Sequence, residues 1–238
     1  MTLFTQTLLL LKRLSIPFLF LSLTRALFYF YNLDHFTNAG ILDFIYGCWF
    51  DAITIALFFS PFIVLHILPI NGSKGHKIQE LVLKIVFHIT NTLLVALNLM
   101  DFEYFKYTSK RSTADLFAIL GAGDDFAQLA TTFIANFWIL IILLIAFVFA
   151  GEWIYKRVSK NTFTPHKWQN ISFNFLIILP LFVIIARGGL QLKPIGIIEA
   201  AQFSAPENTA LVLNTPFTMI KSYGHETLEE KQIGRAHV

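Results

Sequence analysis

A series of apolar runs close to 20 residues long, separated by short basic loops, constrains this chain more than any other feature. A helix needs about 20 apolar residues to cross the roughly 30 Å hydrocarbon core of a bilayer, and there every backbone N–H and C=O must find its partner within the protein. Five such runs are legible, at about 14–31, 42–68, 81–100, 133–155 and 171–186. They predict an all-α membrane protein, with a five-span membrane domain over residues 1–186 and an extracytoplasmic amphipathic linker over 187–232. Hydrophobic residues make up 55% of the chain and charged ones 14%, where a soluble domain carries about a quarter charged. No large soluble domain fits.

The loops set the orientation. Lys12, Arg13, Lys74, Lys77, Lys156, Arg157, Lys160 and Lys167 fall on one side. Lys106, Lys110 and Arg111, partly offset by acids, fall on the other. The positive-inside rule makes the first side cytoplasmic, with the N-terminus inside and the C-terminal segment outside. The first span is expected to be an uncleaved signal anchor, and Pro61 to kink the long second span. Trp138 and Trp153 are separated by about 22 Å along the fourth span, which suits two interfacial belts. Although the chain has 26 Phe, basic residues are not interleaved with its aromatics, so the expected partner is the lipid bilayer and not nucleic acid. Cys48 stands alone and forms no intramolecular disulfide.

Polar residues inside the spans are few. Arg25 and Asp51 fall roughly 10 to 14 Å below the outer ends of their helices, counted at 1.5 Å per residue. An isolated charge there costs about 2.5–3.5 kcal/mol, so the two are expected to form an intramembrane ion pair, either fixing the packing of the first two spans or belonging to an ion site. His88, Asn91 and Asn98 share one helix face, the pattern of interhelical hydrogen bonding. Lys84 and Glu152 lie near cytoplasmic ends, where they can snorkel.

The richest polar stretch runs from Asn98 to Phe117. Its Lys106, Lys110 and Arg111, with Arg187, are candidate contacts for an anionic lipid headgroup, because ammonium and guanidinium groups suit phosphate. The alternative is a set of basic and aromatic interfacial anchors. Asp101 and Glu103 are expected to be structural polar residues at the outer boundary. Catalytic and metal-binding patterns are missing: the seven histidines lack metal-ligand spacing, and no His-Glu-x-x-His, Walker or Gly-x-Ser-x-Gly motif occurs. Asp124-Asp125, in a Gly-rich turn, reads as a helix N-cap. The sequons at Asn71 and Asn170 fall on the cytoplasmic side.

These residues carry a resemblance. Asp101-Phe-Glu-Tyr-Phe-Lys-Tyr-Thr-Ser-Lys-Arg-Ser-Thr-Ala-Asp-Leu-Phe, then Arg187-Gly-Gly-Leu-Gln, then Pro194, Ala200, Asn208, Ala210 and Asn214-Thr-Pro-Phe, together with Arg25 and Asp51, resemble the N-terminal membrane domain of the lipoteichoic acid synthase-like family. These are sulfatase-type phosphoglycerol transferases of the alkaline phosphatase superfamily. The resemblance implies a bacterial inner-membrane location. It also implies an extracytoplasmic α/β domain with a Thr or Ser nucleophile and a manganese-like divalent metal, beyond the residues present here. No catalytic residue or metal ligand of that domain maps onto this sequence, so the chain alone is expected to be inactive. Ile233-Gly-Arg-Ala-His-Val238 resembles the translation of a sequencing-adapter oligonucleotide, and 233–238 is expected to be a non-native tail on a truncated gene. The competing readings are a small membrane transporter and a non-catalytic membrane scaffold.

Overall fold

A computed structural model describes residues 5–36, 38–70, 72–116, 137–159 and 173–223. Among the described residues the chain is helical and contains no strand. Helix α1 spans Thr5–Tyr31, and a 3-10 turn at Leu33–His35 leads to α2, Ile41–Phe58. Then come α3, Ser60–Ile67, α4, Ser73–Thr108, and α5, Trp138–Val158. A π-helical turn at Asn174–Ile178 runs into α6, Leu179–Arg187. The last part holds three short helices: α7, Ile197–Ala200, α8, Thr209–Val212, and α9, Thr215–Ser222.

Among the described residues four helices are long and apolar enough to cross a membrane: Gln6–Tyr31, Ile41–Phe58, Lys74–Thr108 and Trp138–Val158. The apolar helix Phe175–Arg187 is shorter, about 20 Å at 1.5 Å per residue. Parts of the fourth and fifth expected spans, at 133–136 and 171–172, lie outside the described residues. So do the Gly121–Asp125 turn, Asn71, Lys160, Lys167, Asn170, Phe117, and residues 224–238.

Two boundaries differ from expectation for local reasons. The second apolar run is interrupted at Phe59, where a kink at Pro61 is expected: α2 ends at Phe58 and α3 starts at Ser60, with Pro61 in its first turn. Pro has no N–H and its ring collides with the carbonyl four residues back, so a break that puts it in a first turn is the lower-energy solution. The third run continues as helix through the charged stretch to Thr108, making α4 36 residues long. An aromatic cluster holds this extension in place. Phe105 stacks on Phe36 at 5.2 Å between ring centres and meets Phe28 edge-on at 5.1 Å, while Phe102 lies 5.8 Å from Phe28. Ser109 ends the helix in the left-handed region, at φ 54° and ψ 22°.

Helix α1 packs on α2, α4 and α5, α4 packs on α5, and α6 lies along α2. At the end of α6, Gly188 has a φ of 80°; its amide reaches the Ile185 carbonyl at 2.8 Å, and that of Gly189 reaches Ile184 at 3.0 Å. These two bonds make a Schellman turn, for which a glycine in the left-handed region is the usual solution.

The segment after α6 is not held off as a linker along its whole length. Leu211, Val212, Leu213 and Phe217 are buried, with Val212, Leu213 and Phe217 packing on Phe50 and Ile53 of α2 and Leu211 joining the main core. Burying a side chain of this size stabilises by about 1.5–3 kcal/mol, which is what draws the segment back onto the helices.

Candidate functional site

The ends of α1 and α4 and the start of α2 meet at one end of the bundle, and the α8–α9 segment docks into that end through two buried ion pairs. The first joins α1 to α2. Arg25 Nη2 lies 2.5 Å from Asp51 Oδ1, with the side chains 2% and 0% exposed. The same nitrogen donates to the Gly47 carbonyl at 2.9 Å. Nη1 donates to three successive carbonyls of the returning segment, those of Leu211, Val212 at 2.7 Å and Leu213 at 3.2 Å. Gly47 is required for this approach, because a Cβ there would stand 2.5–2.7 Å from the guanidinium atoms.

Asn214 links the pair to α9. Its Nδ2 donates to Asp51 Oδ1 at 2.9 Å, while its Oδ1 accepts from Thr54 Oγ1 at 2.9 Å and from the Phe217 amide at 3.0 Å. The last contact is an N-cap bond, and Pro216 follows in the first turn. Asn before a Thr-Pro dipeptide is thus a local start signal that also reaches a buried carboxylate.

The second pair joins α4 to the turn after it. Asp101 Oδ2 is 3.6 Å from Arg111 Nη1. The carboxylate accepts from the Ser112 amide at 3.2 Å, from Ser112 Oγ, and from Thr215 Oγ1 at 2.5 Å. Arg111 Nε donates to the Ala210 carbonyl at 2.8 Å, and the guanidinium lies 3.6 Å from the centre of the Phe28 ring. Burial pushes the Arg111 guanidinium down to about 10, against the pull of Asp101, so it is charged at neutral pH. Asn98 Oδ1 accepts from the Thr215 amide at 3.2 Å, and Thr218 Oγ1 donates to the Ser112 carbonyl at 2.6 Å.

The candidate headgroup contacts are divided among different environments. Arg111 is buried instead of facing outward, and its partners are all within the chain. Lys106 is exposed, 3.3 Å from Glu103 and 4.0 Å from the centre of the Tyr31 ring, and Lys110 is exposed in the turn after α4. Arg187 ends α6 and donates to the carbonyls of Gln191 at 3.0 Å and Leu192 at 2.9 Å. Asp101 is fully buried, whereas Glu103 accepts from the Tyr31 hydroxyl near the surface.

At the opposite end, Arg13, by sequence a loop cation, is 0% exposed and pairs with Glu80 at 2.5 Å. His66 and Ser159 hold the same guanidinium at 3.3 and 3.2 Å. Lys84, set aside as a snorkelling residue, reaches Glu152 at 2.6 Å, and His88 and Lys156 converge on the same carboxylate at 2.8 and 2.9 Å. Glu80 and Asp101, one in each charged layer, stand about 31 Å apart along α4 at 1.5 Å per residue. That separation matches the hydrocarbon thickness of a bilayer.

Chemically, this layer positions chain. Thr215 Oγ1 donating to Asp101 is the contact that activates a hydroxyl in an open cleft, but Thr215 is 0% exposed and no reactant reaches it. Among the described residues no group of three His, Cys, Asp or Glu stands together as a metal site.

The fold and the docked segment define a helical bundle of membrane type, closed at one end by its own C-terminal part. No protein-family model matches the chain, and neither a curated protein nor a solved structure does so.

Proposed function

We propose that this chain is the membrane-embedded, lipid-side domain of an extracytoplasmic enzyme acting on phospho- or sulfoesters, of the sulfatase-type phosphoglycerol transferase kind. Five helices cross the inner membrane of a bacterium, the fifth being the short helix that ends at Arg187. The N-terminus is cytoplasmic and the docked segment lies at the outer face. Chemistry at a nucleophilic hydroxyl and a divalent metal belongs to residues outside this chain, and the role of this domain is to seat that machinery against a lipid-linked substrate.

One observation carries the proposal. The residues on which the family resemblance rests are scattered over the sequence, yet Arg25, Asp51, Asp101, Arg111, Ser112, Ala210, Asn214 and Thr215 meet in one buried layer. A segment clamped this firmly at the bundle end makes a rigid base for whatever follows it, and rigid placement is what a reaction at a membrane surface needs.

The test is a pair of reporter fusions after Gln232, one that is active only outside the cytoplasm and one that is active only inside. Activity of the outside reporter alone is expected. Activity of the inside reporter alone would remove the reading.

A further inference from the structure

Beside the docked segment, a groove of about 320 Å³ lies between α2–α3 and α6. Its walls are Ala56, Leu57, Ile63 and Val64 on one side and Leu179, Phe182, Val183 and Ala186 on the other. Two cations, Arg187 and Lys221, line it as well. Arg187 ends α6 next to Ala186, and its carbonyl accepts from the amide of Ile195 at 3.0 Å, a residue that packs with Val212 and Phe217 of the docked segment. The charges therefore stand at the end nearest the docked segment, while the wall from Leu179 to Val183 runs away from them and is apolar. The volume falls at the small end of the range for ligand pockets.

The charges at that end are unbalanced. Glu199, the acid nearest to Lys221 in effect, pairs with Lys193 at 3.8 Å, and no acid among the described residues forms an ion pair with Lys221 or Arg187. Burial pushes the Lys221 ammonium below its ordinary value, Glu199 acting against the shift. Val183 is 54% exposed and Val64 41%, so the groove opens along the outside of the bundle, where acyl chains lie if the bundle is in a bilayer.

We propose that this groove holds one acyl chain of an anionic phospholipid, with the lipid phosphate on Lys221 and Arg187. The inference rests on the membrane-domain reading and adds a lipid site to it. An apolar channel with paired cations at one end matches an amphiphile of opposite charge. Arg187 donates to the carbonyls of Gln191 and Leu192 and Lys221 lies 5.7 Å from the Phe217 ring centre, so a neutral lipid would leave both cations without an anionic partner, and a free anion would leave the channel unfilled. The bound lipid also ties α6, which has no buried side chain of its own, to α2, α3 and α9.

The test uses the full chain, purified in detergent and offered phosphatidylserine and phosphatidylcholine in equal amounts, with retained lipid counted by native mass spectrometry. The unmodified chain is expected to keep phosphatidylserine with roughly tenfold preference, the scale of a charge-assisted contact. Lys221→Gln with Arg187→Gln abolishes the preference, and Val183→Trp, which fills the groove from its exposed side, lowers retention of both lipids. Equal retention of the two lipids by the unmodified chain would overturn the proposal, and that comparison does not depend on any variant folding. An unchanged preference in the double variant, unchanged retention in Val183→Trp, or displacement of the lipid by inorganic phosphate would also overturn it. Release of the chain from membranes by alkaline carbonate would instead overturn the membrane reading itself, whereas a membrane-retained chain without lipid preference overturns only the groove.

Discussion

Arg25 on α1 and Asp51 on α2 lie 2.5 Å apart in a site closed to solvent, and the carbonyls of Leu211, Val212 and Leu213 close around the same guanidinium. The pair is therefore a three-way joint between two helices and the returning segment. An arginine suits this position because its planar fork meets a carboxylate and several carbonyls at once.

Removing one partner leaves the other charged, buried and alone, which costs about 3–5 kcal/mol. Arg25→Met and Asp51→Leu are each expected to destabilise by that amount in unfolding measured in mixed micelles. The charge swap, Arg25→Asp with Asp51→Arg, is expected to fail as badly as either single change. A carboxylate at position 25 would face three carbonyls and repel them. Recovery of stability by the swap would show that only the ion pair matters.

Gly47 supplies a second test. Gly47→Ala puts a methyl group against the Arg25 guanidinium, and overpacking of this kind costs about 1–3 kcal/mol. In the Arg25→Met background the penalty shrinks, because the flexible thioether side chain moves aside. A double-mutant cycle reads the coupling, and strictly additive costs would contradict the close approach.

The end of α4 gives a third. Ser109 holds a positive φ, a region that costs a non-glycine residue roughly 1 kcal/mol or more. Ser109→Gly should raise stability by about 0.5–1 kcal/mol and Ser109→Val should lower it. A loss of stability with glycine would mean that α4 does not end in this turn.

Ala114 and Ser222 test the docking from another side, since the Ser222 hydroxyl accepts from the Ala114 amide at 2.8 Å. In a Cys48→Ser background, Ala114→Cys with Ser222→Cys is expected to form a disulfide on mild oxidation, seen as a mobility shift without reductant. Persistence of free thiols would place α9 away from the turn.

The membrane-type helices were legible because apolar run length is a one-dimensional property. So was the pairing of Arg25 with Asp51, since two opposite charges in apolar helices have few alternatives. What the sequence hid was depth. Counting from helix ends treats those ends as the membrane surface, but α4 continues past Asp101 to Thr108, and a largely apolar segment returns to present its backbone carbonyls to Arg25 and the Thr215 hydroxyl to Asp101. Arg111 was misplaced for the same reason: in a linear reading it is a surface cation beside Lys110, and only the return of Ala210 and Thr215, about a hundred residues later, turns it inward. Arg13 and Glu80 are separated by a helix hairpin, and no local pattern announces their contact. The local signal for the docking is Asn214-Thr-Pro, a helix start whose capping amide has a spare donor for Asp51.

The most direct measurement concerns the returning segment. Single cysteines at Leu192, Leu211, Val212 and Leu213, in a Cys48→Ser background, are treated in intact cells with a membrane-impermeant maleimide. Leu192 is fully exposed and the other three are buried. Docking at the outer face predicts labelling at 192, protection at 211–213, and labelling at 211–213 once Arg25→Met breaks the joint. Equal labelling at all four positions in the otherwise unmodified chain, or labelling at 192 only after the cells are opened, would contradict it.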